Sequence, residues 1–221
     1  MNILAIDTTR KKAEVSLALE DCINTYVEEN EITHSEKLMP LVDKALKSAN
    51  FNLNNVDCIA CTIGPGSFTG VRIAIATVKA LTYVLNIPIF AMNTLELMAR
   101  STDNISNKYI LSVLDAKNSR AYYALYTAEN FEVIIDCKNK TIEDILEEIK
   151  NLGVDMQDVL VVSNSQEFLN LHFSNTKLVD ISTKKLCECV NLEDRQHITD
   201  NMRLDAVYAR VSQAQRQKYG E

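Results

Sequence analysis

Histidine is scarce in this chain, with His34, His172 and His197 the three among 221 residues. His34 has Leu38 four residues on, so the paired-histidine spacing of a helical metal site is missing. His172 and His197 read as standing in polar stretches without carboxylate or cysteine ligands, and residue order argues no Ser-His-Asp arrangement. The sequence offers no metal ligand set and no catalytic residue. Positive charge is also short: 23 Lys and Arg against 30 Asp and Glu leave a net charge of −7. Unaided grip on a phosphate backbone rests on clustered Lys and Arg, so any contact with nucleic acid is expected only indirectly, through a partner. No stretch approaches the roughly 18 consecutive apolar residues of a membrane helix. The opening MNILAIDTTR lacks the basic flank of a signal peptide and reads as a strand. A cytoplasmic location, with no membrane partner, is expected.

Glycine and cysteine inform by where they are missing. No glycine lies between Asp7 and Ala13, so that turn cannot approach a nucleotide as closely as a glycine-bearing phosphate hairpin. The six cysteines, without a signal peptide, read as free thiols. Cys58 and Cys61 fall inside the apolar run 56–63; an odd number of residues apart, they point to opposite faces of a strand and share neither a disulfide nor a metal. Cys187 and Cys189 lack companions for a four-ligand zinc site.

What is present is an ordinary globular composition, 47% hydrophobic and 24% charged, patterned as alternating strands and helices. Strands are predicted at 2–7, 13–19 and 22–28. Thr33 and Glu36 have capping-box spacing, and Leu38, Leu41, Val42, Ala45 and Ala49 then form one helical stripe, with a kink or shifted first turn expected at Pro40. A strand at 56–63 leads through GPGSFTG into a helix ending near Leu85. Over 71–85 its only charges are Arg72 and Lys79. A helix apolar nearly all round must be covered on nearly all sides, and a partner protein is one cover; Gly70, Ala74 and Thr77 would let another helix come close. A short strand follows Pro88, and Asn93-Thr94 caps a helix over 95–101. The polar stretch 101–108 marks the expected boundary between domains 1–102 and 103–221.

The second half opens like the first. ILAIDTTRKKAEVSLAL at 3–19 and LSVLDAKNSRAYYALY at 111–126 each give a strand ending in Asp, a polar turn and an alternating strand. Asp7 and Asp115, Ala13 and Ala121, and Leu17 and Leu125 share one offset, which predicts a duplicated unit. A strand near 131–136, a helix near 141–151, a strand at 158–163 and a helix near 183–191 complete the reading, and a polar tail follows the segment 206–210.

Two places could carry chemistry. The loop 64–70 joins strand to helix and could aim N–H groups at an anion, yet it lacks the Gly-Lys-Ser/Thr ending of a phosphate loop and the spacing of an esterase elbow; it reads equally as a tight connector. Asp7, with Thr8 and Thr9, stands where a carboxylate and two hydroxyls could position a metal-bound water and a phosphate. The alternative, which we favour, is that Asp7 caps its own turn.

ILAIDT, the HSEKLMP of 34–40, the signature GPGSFTGVRI at 64–73 and Thr94-Leu95 together resemble the TsaB (YeaZ) family, strongly over the first hundred residues. Asp115-Ala116-Lys117, Tyr122 and the AVYAR of 206–210 echo it more weakly. The resemblance implies an α/β, actin-like ATPase (ribonuclease H-like) fold of two related lobes, and a relative of the catalytic subunit TsaD without its metal-binding histidine pair. It implies a non-catalytic scaffold that dimerises with TsaD through helices at about 34–49 and 68–85, the interface carrying His34, Leu38, Leu41, Val42, Gly70, Val71, Ala74 and Thr77. TsaD transfers threonylcarbamoyl to adenosine beside the anticodon, in tRNAs reading codons that begin with adenine. TsaE joins the assembly, and homodimers are expected when the partner is absent. No tightly bound cofactor is implied; Asp7, Thr8 and Thr9 would be a vestigial nucleotide site, with ATP or ADP at the partner interface left open. The hairpin departs from the family at Lys117, Ser119 and Arg120, and Ala74 replaces its usual glycine. The competing readings are a free-standing ATPase or metallopeptidase-like enzyme of the same fold, and a homodimeric binding module.

Overall fold

The structure, a computed structural model, describes residues 1–20, 22–29, 34–103, 106–191, 193–194 and 196–207. The cap expected at Thr33 and most of the 206–210 segment lie outside these. The chain forms two units, Met1–Leu97 with Ile181–Val207, and Met98–Asp180. This corrects the division into 1–102 and 103–221. The late segment returns to the first sheet because α6 (Thr183–Cys189) and β11 (Ile198–Thr199) are bonded there. The Thr183 N–H donates to the Glu14 carboxylate at 2.7 Å, and β11 pairs antiparallel with β5 (Ile89–Met92).

In the first unit β1 (Ile3–Asp7), β2 (Ala13–Leu19) and β3 (Cys22–Glu28) form an antiparallel meander, and β4 (Cys58–Thr62) and β5 run parallel to β1. The order is β11-β5-β4-β1-β2-β3. Alternate residues Leu4, Ile6, Val15, Leu17, Ile59 and Cys61 face one core. Leu38, Leu41, Val42 and Ala45 of α1 (His34–Ser48) and Ala74 and Val78 of α2 (Phe68–Leu85) fill it from above. Pro40 lies inside α1, where it removes one ladder donor. Ser67 caps α2, its Oγ accepting the Gly70 N–H, and α3 (Thr94–Arg100) follows β5. Cys61 faces this core and Cys58 the other side, as the odd spacing predicts. Burial pushes the Cys61 thiol up to about 12 and the Cys58 thiol to about 11.

The second unit repeats the plan. β6 (Tyr109–Asp115), β7 (Arg120–Thr127) and β8 (Val133–Thr141) form a meander, with β9 (Val159–Ser163) and β10 (Thr176–Leu178) parallel on the other side. The order β10-β9-β6-β7-β8 matches β5-β4-β1-β2-β3. α4 (Ile142–Asn151) and α5 (Gln166–His172) stand where α1 and α2 stand in the first. The duplication is therefore real, but the single offset is not. Leu4 pairs with Leu17, and Leu111 with Leu125, so the first strands match one residue out of step with the second. A one-residue slip changes face. Asp115 lies on the core-facing side with Leu111 and Val113, whereas Asp7 lies opposite Leu4 and Ile6; the two aspartates are not counterparts.

The second hairpin carries a local strain. Lys117, Asn118 and Ser119 have φ of 65°, 55° and 56°, a left-handed run costing roughly 1–2 kcal/mol per ordinary residue. Ser119→Gly is therefore expected to raise unfolding free energy by about 1 kcal/mol, read as a higher urea midpoint at unchanged slope.

Candidate functional site

Asp7 sits where β1 ends beside β4, and folding buries its carboxylate fully. One oxygen accepts the Thr9 N–H at 3.0 Å, the Thr9 hydroxyl at 2.6 Å and the Thr62 hydroxyl at 2.5 Å. The other accepts the Nε–H of Arg10 at 2.9 Å and stands 2.8 Å from its Nη2 as an ion pair. Burial pulls this carboxyl upward in pKa, but the Arg10 charge and the bonds from Thr62 and Thr9 outweigh it and hold it below its ordinary value. Arg10 also reaches Glu14 at 3.5 Å, where Lys12 stands at 3.1 Å. Glu14, itself buried, accepts the N–H and hydroxyl of Thr183 at 2.7 and 3.1 Å. Two carboxylates and two cations thus neutralise each other inside the turn.

The neighbouring hydroxyls are engaged as well. Thr8 donates to the Gly70 carbonyl at 2.6 Å, and the Thr9 carbonyl accepts the Ser67 N–H at 2.7 Å. The first turn of α2 lies so close that a Cβ on Gly70 would stand 1.8 Å from the Thr8 oxygen, and one on Gly66 would stand 2.4 Å from the Thr9 oxygen. The loop 64–70 is held further by the Thr94 N–H on the Gly64 carbonyl at 2.9 Å. Its Ser67 and Gly70 amides serve the chain itself, which is the connector reading. Asp7 does cap its turn through the Thr9 N–H.

The expected partner residues divide. Leu38, Leu41, Val42, Val71 and Ala74 are core, and His34 and Gly70 are buried. This corrects their placement at an interface: the apolar stripe that the periodicity exposed is the stripe spent on the sheet. His34 instead bonds through Nε2 to the Arg10 carbonyl at 3.0 Å, tying α1 to the Asp7 turn. Only Thr77 is half-exposed. α2 is not covered nearly all round; its outward side presents Phe68, Arg72, Ala76, Ala80, Tyr83 and Val84. Arg72 stacks on the Phe68 ring, 3.9 Å from its centroid. By length and composition α2 could cross a membrane, yet its inner stripe is core.

His197 also departs from expectation, since two carboxylates hold it: Asp194 at 2.7 Å on Nδ1 and Glu96 at 2.9 Å on Nε2, with Phe90 stacked at 5.1 Å. Burial lowers its pKa, and the two carboxylates raise it by more. Asp194, three residues before, was legible; Glu96 was not. No group of three metal-ligating side chains occurs among the described residues.

Comparison with known proteins places this geometry. The family model described as TsaD, tRNA N6-adenosine threonylcarbamoyltransferase, matches residues 27–189. The tRNA threonylcarbamoyladenosine biosynthesis protein TsaB of Buchnera aphidicola subsp. Schizaphis graminum is 32% identical over 157 residues, 67% of this chain and 74% of that one. The chain belongs to the TsaB family. The TsaB of Bacillus subtilis is 33% identical over 156 residues, 68% of this chain and 66% of its own length. YeaZ of Pseudomonas aeruginosa superposes with a TM-score of 0.75 at 23% identity, covering 94% of this chain and 99% of that one. The fold is the actin-like, ribonuclease H-like one. Within it, this TsaB-family chain has a carboxylate at the end of its first strand, satisfied by its own arginine.

Proposed function

We propose that this chain is a non-catalytic scaffold in the formation of threonylcarbamoyladenosine in tRNA, docking on the transferase TsaD. Its TsaB and TsaD-type relatives support the pathway. The observation that carries the inert role is the Asp7 carboxylate, whose oxygens are taken by Thr9, Thr62 and Arg10. A carboxylate so engaged has little left with which to position a metal-bound water, as a free-standing ATPase would need. Asp7, Thr8 and Thr9 are accordingly a structural turn, and a nucleotide, if it joins the assembly, sits at a partner surface. The docking surface is the outward side of α2, with the ATPase TsaE a further partner and tRNA reached only through the complex. The same side pairs two copies of the chain when TsaD is absent, in the cytoplasm.

The test is threonylcarbamoyl transfer to tRNA, reconstituted with TsaD and TsaE. Modification is expected to require the chain and to persist with Asp7→Asn, assayed at a temperature where both forms are folded. ATP turnover by the chain alone, abolished by Asp7→Asn, would overturn the inert role.

A further inference from the structure

The last turn of α2 is built with help from outside the helix. Thr82 is fully buried and donates to the Val78 carbonyl at 2.7 Å, the back-bonding a helical threonine adopts. Asn201, in the segment after β11, meets the same turn. In the amide orientation that satisfies both of its ends, the Asn201 nitrogen donates to the Thr82 hydroxyl at 2.5 Å and to the Lys79 carbonyl at 3.1 Å, while its oxygen accepts the Tyr83 N–H at 3.1 Å. Lys79 and Tyr83 are the pair that an uninterrupted helix joins directly. One side-chain amide therefore bridges that rung of the ladder, donating to its acceptor and accepting from its donor.

Asn201 is itself fixed. Asp200 accepts the N–H groups of Met202 and Arg203 at 2.9 and 3.0 Å, and Leu204 is buried in the core of this unit. Three exposed apolar side chains belong to the two segments that Asn201 joins: Tyr83 is 81% exposed, Val84 80%, and Met202, next to Asn201 in sequence, 91%. Leu81 and Leu85 of the same turn rest against the core, while Tyr83 and Val84 face away from it.

We propose that Asn201 is a positioning residue: its amide locks the last turn of α2 so that Tyr83 and Val84, together with Met202, are presented to the docking partner. The inference rests on the docking role proposed for α2, and names a residue more than a hundred positions away in sequence as part of that surface. Asn201→Ala removes all three bonds; Asn201→Asp keeps the acceptor for the Tyr83 N–H and loses the donor to Thr82 and Lys79.

Two measurements test it. Amide hydrogen exchange of the chain alone is expected to quicken at Tyr83 by about fivefold in Asn201→Ala, the loss of one ordinary hydrogen bond, with Asn201→Asp restoring protection and the β1 and β4 amides unchanged. Calorimetric titration with TsaD of the same cell, well below the unfolding temperature, is expected to show about fivefold weaker binding for Asn201→Ala, recovered in part by Asn201→Asp. A purely structural role would lower the unfolding temperature and leave this affinity alone. Unchanged exchange at Tyr83 in Asn201→Ala overturns the clasp. Quickened exchange with unchanged affinity overturns the positioning role. Absence of binding by the native chain overturns the docking reading and the positioning role with it, and is told apart because exchange is read without the partner.

Discussion

Gly70→Ala is expected to lower the unfolding free energy by about 3 kcal/mol, the upper range for overpacking, and to be among the most damaging single-methyl changes in the chain. The reason is the closeness of backbone to backbone. The added Cβ would stand 1.8 Å from the Thr8 carbonyl oxygen and 3.0 Å from its carbonyl carbon, so no side chain can swing aside and either α2 or the Asp7 turn must move. Helix propensity favours alanine by about 1 kcal/mol, which is too little to offset a clash of that kind. Gly153→Ala is the control: nothing lies within 4 Å of the place its methyl would occupy, and only its φ of 72° opposes the change, so about 1 kcal/mol is expected. Denaturant unfolding followed by circular dichroism separates the two. Equal costs at both sites would mean that α2 does not sit against the Thr8 turn.

Arg10→Met is expected to cost about 3–5 kcal/mol, the loss seen when one partner of a buried ion pair is removed. Asp7 would remain fully buried with the bonds from Thr9 and Thr62 but without its countercharge. The sign with pH follows from the depressed carboxyl. In the native chain Asp7 contributes stability that is present above its unfolded pKa and lost as pH falls through the lower folded value. With Arg10 gone, burial opposes a weaker set of bonds and the carboxyl rises, so the variant should regain part of its deficit on mild acidification. Adding Asp7→Asn to Arg10→Met should also recover part of the loss, and a double-mutant cycle reads the coupling. A near-zero coupling would mean that Arg10 does not close the Asp7 site.

Much of this was legible in the sequence, for identifiable reasons. The strands β2 and β3 have their predicted bounds because seven-residue stretches with turns at both ends display a period. α2 was legible from GPGSFTG onward. α5, β10 and β11 were not, since seven, three and two residues are too short to show any period. The duplication was visible as a repeat, but an offset error of one residue is invisible in composition and reverses a side chain, which is how Asp115 came to be matched with Asp7. The site itself was half legible. Asp7 and its turn could be found from the strand end; Thr62 and Thr183, which come from 55 and 169 residues beyond Asp7 and Glu14, could not. The interface residues were misplaced because an apolar stripe looks the same whether it meets a partner or the chain's own sheet. Only burial separates Ala74, which is core, from Ala76, which faces out.

That distinction makes the decisive measurement. Calorimetric titration of the chain with TsaD of the same cell, beside Ala76→Arg, Ala80→Arg and, as a remote control, Lys150→Glu, tests whether the outward side of α2 is the docking surface. Native binding, retained by Lys150→Glu and weakened at least about tenfold by either arginine without loss of folded structure, is the predicted result. Equal affinity of all four proteins for TsaD, or none for the native chain, would contradict it.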